Sequence, residues 1–301
     1  MRPLYTSILL CVCLVFAGTS FAQPSCDQQI TVNVRDSRGE FVSDLEASSF
    51  HAKVAGREAA VTSAGVFSGS NRVILVLDAS ASMSDGGNIE RWNAIKNLTE
   101  QIVYFAPPST SLALLIFNSQ TVRKVDFGYS RKELLDAIEQ VPHVHGLTAL
   151  WDSLLQASEM FRDAALGDAV LVISDFEDSA SKGKLGEVRK AFAANGVRIV
   201  GLDIVDHYFA SEEEHLGPAN LFDLATGTGG MPMVVDSLTD VPNILKRLFD
   251  AIGKFYVLRI TPSAPLQKPE RLSLRLLAKD GKKNKGIISL YYPEKVSRCG
   301  H

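Results

Sequence analysis

Three uninterrupted apolar runs, Val73–Leu77, Leu112–Phe117 and Ala169–Ile173, constrain this chain more than any other feature. Each is too short for a buried helix. Each is rich in Val, Ile and Leu, as expected of a strand covered on both faces. A fourth strand, 197–203, follows Asn195-Gly196, a helix stop signal. Helical patterns fill 90–106, 131–140, 149–165 and 184–194, then 218–226 and 238–252, with shorter strands at 120–126 and 232–235. Strands alternating with helices of this length predict an α/β fold, a doubly wound, mostly parallel sheet with helices on both faces.

Shorter β segments bracket this region. Ile30, Val32 and Val34 alternate with polar neighbours, and Asp36–Gly39 is a turn signal. Further strands fit 50–55 and 58–64 around Gly56, and 255–260, 272–277 and 287–292 in the tail. The economical arrangement is one small β domain built from both ends of the chain, with the α/β region inserted into it. The resulting division is 1–22, 23–69, 70–252 and 253–301, the last segment pairing with the second.

Residues 1–22 read as a cleaved signal peptide. Arg2 supplies the positive start, Ile8–Ala17 the apolar core and Ser20-Phe21-Ala22 the cleavage site, placing the cut before Gln23. The mature chain is then periplasmic or extracellular, with no membrane span: 244–258 is apolar but carries Lys246, Arg247, Asp250 and Lys254. Cys11 and Cys13 leave with the leader. Cys26 and Cys299 remain, and an oxidising compartment favours a disulfide between them over two free thiols. A net charge of −3 points to neither nucleic acid nor an anionic membrane as partner.

In an open parallel sheet, ligands bind beyond the carboxyl ends of the strands. Three polar groups fall there: Asp78-Ala79-Ser80-Ala81-Ser82 after the first apolar run, Gly146-Leu147-Thr148 before the helix at 149, and Ser174-Asp175-Phe176-Glu177-Asp178 after the third run. Each group alone reads equally as helix capping. All the side-chain ligands are oxygens, which suits Mg²⁺, Mn²⁺ or Ca²⁺ rather than zinc.

Taken together, Asp78, Ser80, Ser82, Thr148 and Asp175 resemble the metal-ion-dependent adhesion site of the von Willebrand factor type A family, with Phe176 standing where glycine is more usual. The resemblance covers roughly 70–250, and the flanking β segments look like those of bacterial secreted proteins related to the family. It implies a Rossmann-like fold and Mg²⁺ (or Mn²⁺ or Ca²⁺). Ser80 and Ser82 would bind the ion directly, and Thr148 directly or through water. Asp78 and Asp175 would orient hydroxyls and waters from behind. The partner implied is a protein that supplies an Asp or Glu to an open coordination position. In the family, movement of the threonine loop is linked to displacement of the last helix, here 238–252; a rigid site is an equally open reading.

Neighbouring residues carry less. His143 and His145 in the loop before Thr148 read as solvated groups rather than a zinc pair. Asp85, Asp152, Glu177 and Asp178 are expected to form an acidic rim, and Trp92 and Trp151 to be packing residues. Enzyme readings lack their motifs. An aspartyl phosphotransferase needs a second acid where Ser80 stands, and there is neither a Gly-x-Ser-x-Gly elbow nor a Gly-x-Gly-x-x-Gly after the first strand. The expected function is a metal-dependent protein-binding module, not an enzyme. The alternatives are a metal-dependent hydrolase using Glu177 and a scaffold with a purely structural ion.

Overall fold

The computed structural model describes residues 26–84, 89–141, 145–204, 216–235, 237–277 and 289–299. The expected leader, Asp85 and His143 lie outside the described residues. In chain order the strands and helices are β1 (Gln28–Arg35), β2 (Phe50–Val54), β3 (Arg57–Val66), β4 (Asn71–Asp78), α1 (Ile89–Phe105), β5 (Thr110–Phe117), β6 (Thr121–Val125), α2 (Arg131–Glu139), α3 (Leu150–Met160) and β7 (Ala169–Ser174). There follow α4 (Leu185–Asn195), β8 (Arg198–Ile204), α5 (Leu216–Gly227), β9 (Met231–Val235), α6 (Val241–Gly253), β10 (Tyr256–Pro262), β11 (Glu270–Leu276), β12 (Ser289–Tyr291) and β13 (Lys295–Val296).

The apolar runs form a six-stranded sheet in the order β6-β5-β4-β7-β8-β9, parallel except for the edge strand β6. Strands β4, β5, β7 and β8 are buried along nearly their whole length because helices cover both faces. One face packs against α1, α2 and α6 through Leu75, Leu77, Ile102 and Leu248. The other packs against α3, α4 and α5 through Ile74, Val76, Leu154 and Leu224. The chain leaves β4 for β5 on one side and later returns to β7 on the other, so the strand order reverses at β4. That reversal opens a crevice above the carboxyl ends of β4 and β7.

A second sheet, antiparallel and curled, runs β12-β1-β10-β3-β2-β11-β13 and draws strands from both ends of the chain. Its strands β2, β10 and β11 alternate buried with exposed residues, the period of a sheet that is dry on one face. Val32, Tyr256, Leu258 and Leu274 fill the dry side. Cys26 and Cys299 are disulfide-bonded, with Cα atoms 5.2 Å apart across 273 positions of sequence. The bridge joins a residue two positions before β1 to one three positions after β13, near opposite ends of the strand order, a junction the curl makes possible.

Two helices are shorter than the sequence pattern predicts, and one strand was not predicted. The helix expected over 149–165 ends at Met160, because Phe161 turns into the core and Asp168 is drawn inward by Arg72. Arg72 lies over the rings of both Phe127 and Phe161. The helix expected from 238 starts at Val241, where the Asp240 side chain accepts from the Asn243 amide and Pro242 fits the first turn. The two-residue strand β13 was too short to show a pattern. The stop at Asn195-Gly196 is as expected: Gly196 caps α4 at φ +66°, a conformation that favours glycine.

Candidate metal centre

Asp78 is the last residue of β4 and is fully buried. The parallel pairing of β4 with β7 sets it beside Ser174, the last residue of β7. One carboxylate oxygen, Oδ1, accepts the Ser80 amide at 2.9 Å. The other, Oδ2, accepts the Ser174 hydroxyl at 2.7 Å. Burial, with the negative charge of Asp175 adding to it, pushes the Asp78 carboxyl up to about 7. A cation beside it would act in the opposite direction.

The chain turns through a short 3-10 helix, Ala81–Ser84, immediately after the strand. This turn brings the Ser80 and Ser82 hydroxyls to 3.1 Å from each other. Ser80 is buried and Ser82 is exposed, so the pair opens towards solvent. An octahedral ion with bonds of about 2.0–2.1 Å has adjacent ligands about 3 Å apart. The two hydroxyls have the spacing of one such edge.

Thr148 reaches the same place through backbone bonds. The His145 amide donates to the Ala79 carbonyl (3.2 Å), and the Ala81 amide donates to the Gly146 carbonyl (3.1 Å), so 145–148 lies along the serine loop. The Thr148 amide donates to the Ser179 hydroxyl at 3.0 Å, and its carbonyl accepts the amides of Ser179 and Ala180, both at 2.9 Å. Thr148 is not the cap of α3; that position is Ala149. Both backbone polar groups of Thr148 are therefore in use. Thr148 as a residue is buried, and no hydrogen bond of its hydroxyl to another described residue is present.

Asp175 is half-buried beyond β7, with Oδ1 accepting the Glu177 amide at 3.2 Å. The first turn of α5 lies against its backbone: a Cβ built on Gly217 would sit 2.1 Å from the Asp175 carbonyl oxygen. Only glycine permits that approach. Phe176 takes φ +60°, a left-handed conformation that costs a bulky residue about 1–3 kcal/mol. Its amide donates to the Ser174 hydroxyl (3.0 Å), its carbonyl accepts from Asn220 (3.0 Å), and its ring is fully buried. The substitution for glycine thus keeps a glycine-like turn, held by burial and two hydrogen bonds.

Two acids of the expected rim are committed to structure. Asp152 accepts the amides of Lys182 and Gly183 at 3.0 and 2.8 Å. Asp178 accepts the Trp151 amide at 3.3 Å and the Ser181 hydroxyl at 2.5 Å. They pin the 178–184 segment to the start of α3, the part of ordinary loop and helix-start acids. Trp92 and Trp151 are buried packing residues. The sequence reading missed Ser174 and Ser179, which hold Asp78 and Thr148 in place. The hydroxyls adjoining Asp175 and Asp178 were the available signal. Among the described residues no three His, Cys, Asp or Glu side chains converge; the side-chain oxygens that meet here are the Ser80 and Ser82 hydroxyls, with the Asp78 carboxylate behind them.

The family profile described as von Willebrand factor type A domain matches residues 73–177. The chain carries a von Willebrand factor type A domain. The match runs from β4 to the turn after β7 and so spans all five residues. The fold is shared with proximal thread matrix protein 1 from the mussel byssus, at 18% identity and a TM-score of 0.51, over 66% of this chain and 50% of that one. It is also shared with a von Willebrand factor type A protein from Catenulispora acidiphila, at 12% identity and a TM-score of 0.50, over 90% of this chain and 73% of that one. The chain thus spans half the length of the mussel protein, and at these identities the likeness is one of fold. No curated protein matches the sequence.

Proposed function

We propose that this von Willebrand factor type A domain is a metal-dependent protein-binding module that bridges to its partner through a divalent cation. The observation that carries the reading is the hydroxyl pair of Ser80 and Ser82, 3.1 Å apart in front of the buried Asp78 carboxylate. Ser80, Ser82 and Thr148 would hold Mg²⁺, or Mn²⁺ or Ca²⁺, and Asp78 and Asp175 would orient them and the bound waters. An ion held mainly by neutral hydroxyls keeps much of its charge. When bound, it supplies a Lewis-acidic position for a partner's Asp or Glu. Asp152 and Asp178 are spent on holding loops, so the hydrolase alternative would have to use Glu177 as its base.

Export fits the same reading. The apolar leader precedes a chain whose two remaining cysteines are bridged, and such bridges persist in oxidising compartments. Among the described residues no helix is long and apolar enough to cross a membrane. Capture of proteins from secreted and envelope fractions tests the proposal. Partners retained in Mg²⁺ and released by EDTA are expected; partners indifferent to EDTA would place the contact elsewhere on the surface.

A further inference from the structure

The candidate centre is bordered by side chains that belong to none of its polar machinery. Leu147 immediately precedes Thr148 and is 59% exposed. It sits in the segment that the His145 and Gly146 backbone bonds hold against the serine loop. Leu216 opens α5 and is 62% exposed. Its neighbour Gly217 is packed on the Asp175 carbonyl, which brings Leu216 to the Asp175 side of the site. Two large apolar side chains thus stand in water beside a polar centre, one on the threonine loop and one at the aspartate turn. Neither contributes to the apolar cores of the domain.

From this arrangement we infer that Leu147 and Leu216 set partner specificity: the centre selects an acidic residue flanked by apolar side chains. The inference rests on the metal-bridged reading and deepens it. A carboxylate that reaches the ion brings its chain neighbours down onto the rim. Neighbours that are aliphatic or aromatic remove the two leucines from water, and polar neighbours do not. The ion supplies affinity for any exposed carboxylate, and the leucines discriminate among them.

The test uses the mature chain and a displayed library of short peptides with one fixed Asp in random surroundings, captured in Mg²⁺ and eluted with EDTA. Wild type is expected to enrich Leu, Ile, Val or Phe within two positions of the Asp. Leu147→Ser and Leu216→Ser should bind the selected peptide about tenfold more weakly at unchanged Mg²⁺ affinity, the loss expected from exposing part of a leucine contact. Leu166→Ser, at an exposed position in the loop between α3 and β7, should bind like wild type. Asp-dependent, EDTA-sensitive capture with no apolar preference, or selected peptides that bind both site variants as tightly as wild type, would overturn this inference and leave the metal bridge standing. If Mg²⁺ binds but no peptide is retained through its Asp, the carboxylate-bridging reading fails and this inference fails with it.

Discussion

At the amino end of the parallel sheet, buried positive charge is spread over several backbone carbonyls; at the carboxyl end a buried carboxylate has only neutral donors and an acidic neighbour. Arg198, the first residue of β8, is fully buried and donates to the carbonyls of Ala251 (3.1 Å), Ile252 (2.8 Å) and Gly167 (3.2 Å), with its guanidinium 3.7 Å over the Phe255 ring. Arg35, from the antiparallel sheet, donates to Asp250 and Lys254 at 2.8 and 2.9 Å. Desolvation pulls Arg198 down to about 9 and Arg35 to about 10, so both stay charged at neutral pH. They satisfy the last carbonyls of α6 and favour its dipole. Asp78, at the other end, has two neutral donors, a neighbouring negative charge and no cationic side chain bonded to it. The closed end fastens two sheets to one helix, and the open end is where we propose that a cation binds.

The contrast bears on switching. Displacing α6 along its axis would break carbonyl bonds to Arg35 and Arg198 at once, on two different sheets. We therefore expect the site to work in one conformation. This favours the rigid reading over coupling through the last helix.

Breaking the closed half should cost stability and leave metal affinity alone. The largest effect is expected from the disulfide. Cys26→Ser with Cys299→Ser removes a cross-link over 273 positions, with an upper limit on the order of 4–5 kcal/mol because the strands still pair. Urea unfolding measures it, and mass spectrometry of unreduced peptides confirms the bridge. Next comes Arg198→Met, which strips three buried carbonyls of their donor and should cost about 3 kcal/mol at unchanged Mg²⁺ affinity. A shift in metal affinity in this variant would mean the two ends communicate.

The parallel sheet was readable because continuous Val, Ile and Leu runs admit few other structures, and β1 because Ile30, Val32 and Val34 alternate with polar neighbours, although Thr31, Asn33 and Arg35 are buried too. The crevice followed from strand order. The clamp was not readable: an Arg opening a strand looks like a solvated edge, and Arg198 meets its acceptors 53 and 54 positions away. The partners of two rim acids were hidden for a related reason. Asp152 accepts amides from the loop at Lys182 and Gly183, and Asp178 accepts the Trp151 amide at the start of α3, all about 30 residues distant. Ser174 lay in plain view and lacked only the register that aligns it with Asp78.

Variants at the open end should act on metal or partner binding. Gly217→Ala forces a methyl group into the Asp175 carbonyl, moving either α5 or the aspartate turn at about 1–3 kcal/mol, with metal affinity falling as the turn shifts. Thr148→Ala is expected to be smallest in stability, within about 1 kcal/mol, because its hydroxyl has no partner among the described residues. It should retain much of the metal affinity and weaken partner capture in Mg²⁺. Capture equal to wild type would remove Thr148 from the mechanism.

The central claim is that the oxygens in front of Asp78 bind a divalent cation, and isothermal calorimetry of Mg²⁺ into the mature chain tests it most directly. Wild type should bind one ion per chain. Asp78→Ala should bind with greatly reduced affinity, and so should Asp78→Asn, which keeps the shape and hydrogen-bonding reach of the side chain while removing its charge. Equal Mg²⁺ affinity in all three proteins, or no binding to wild type, Mn²⁺ and Ca²⁺ included, would contradict the account.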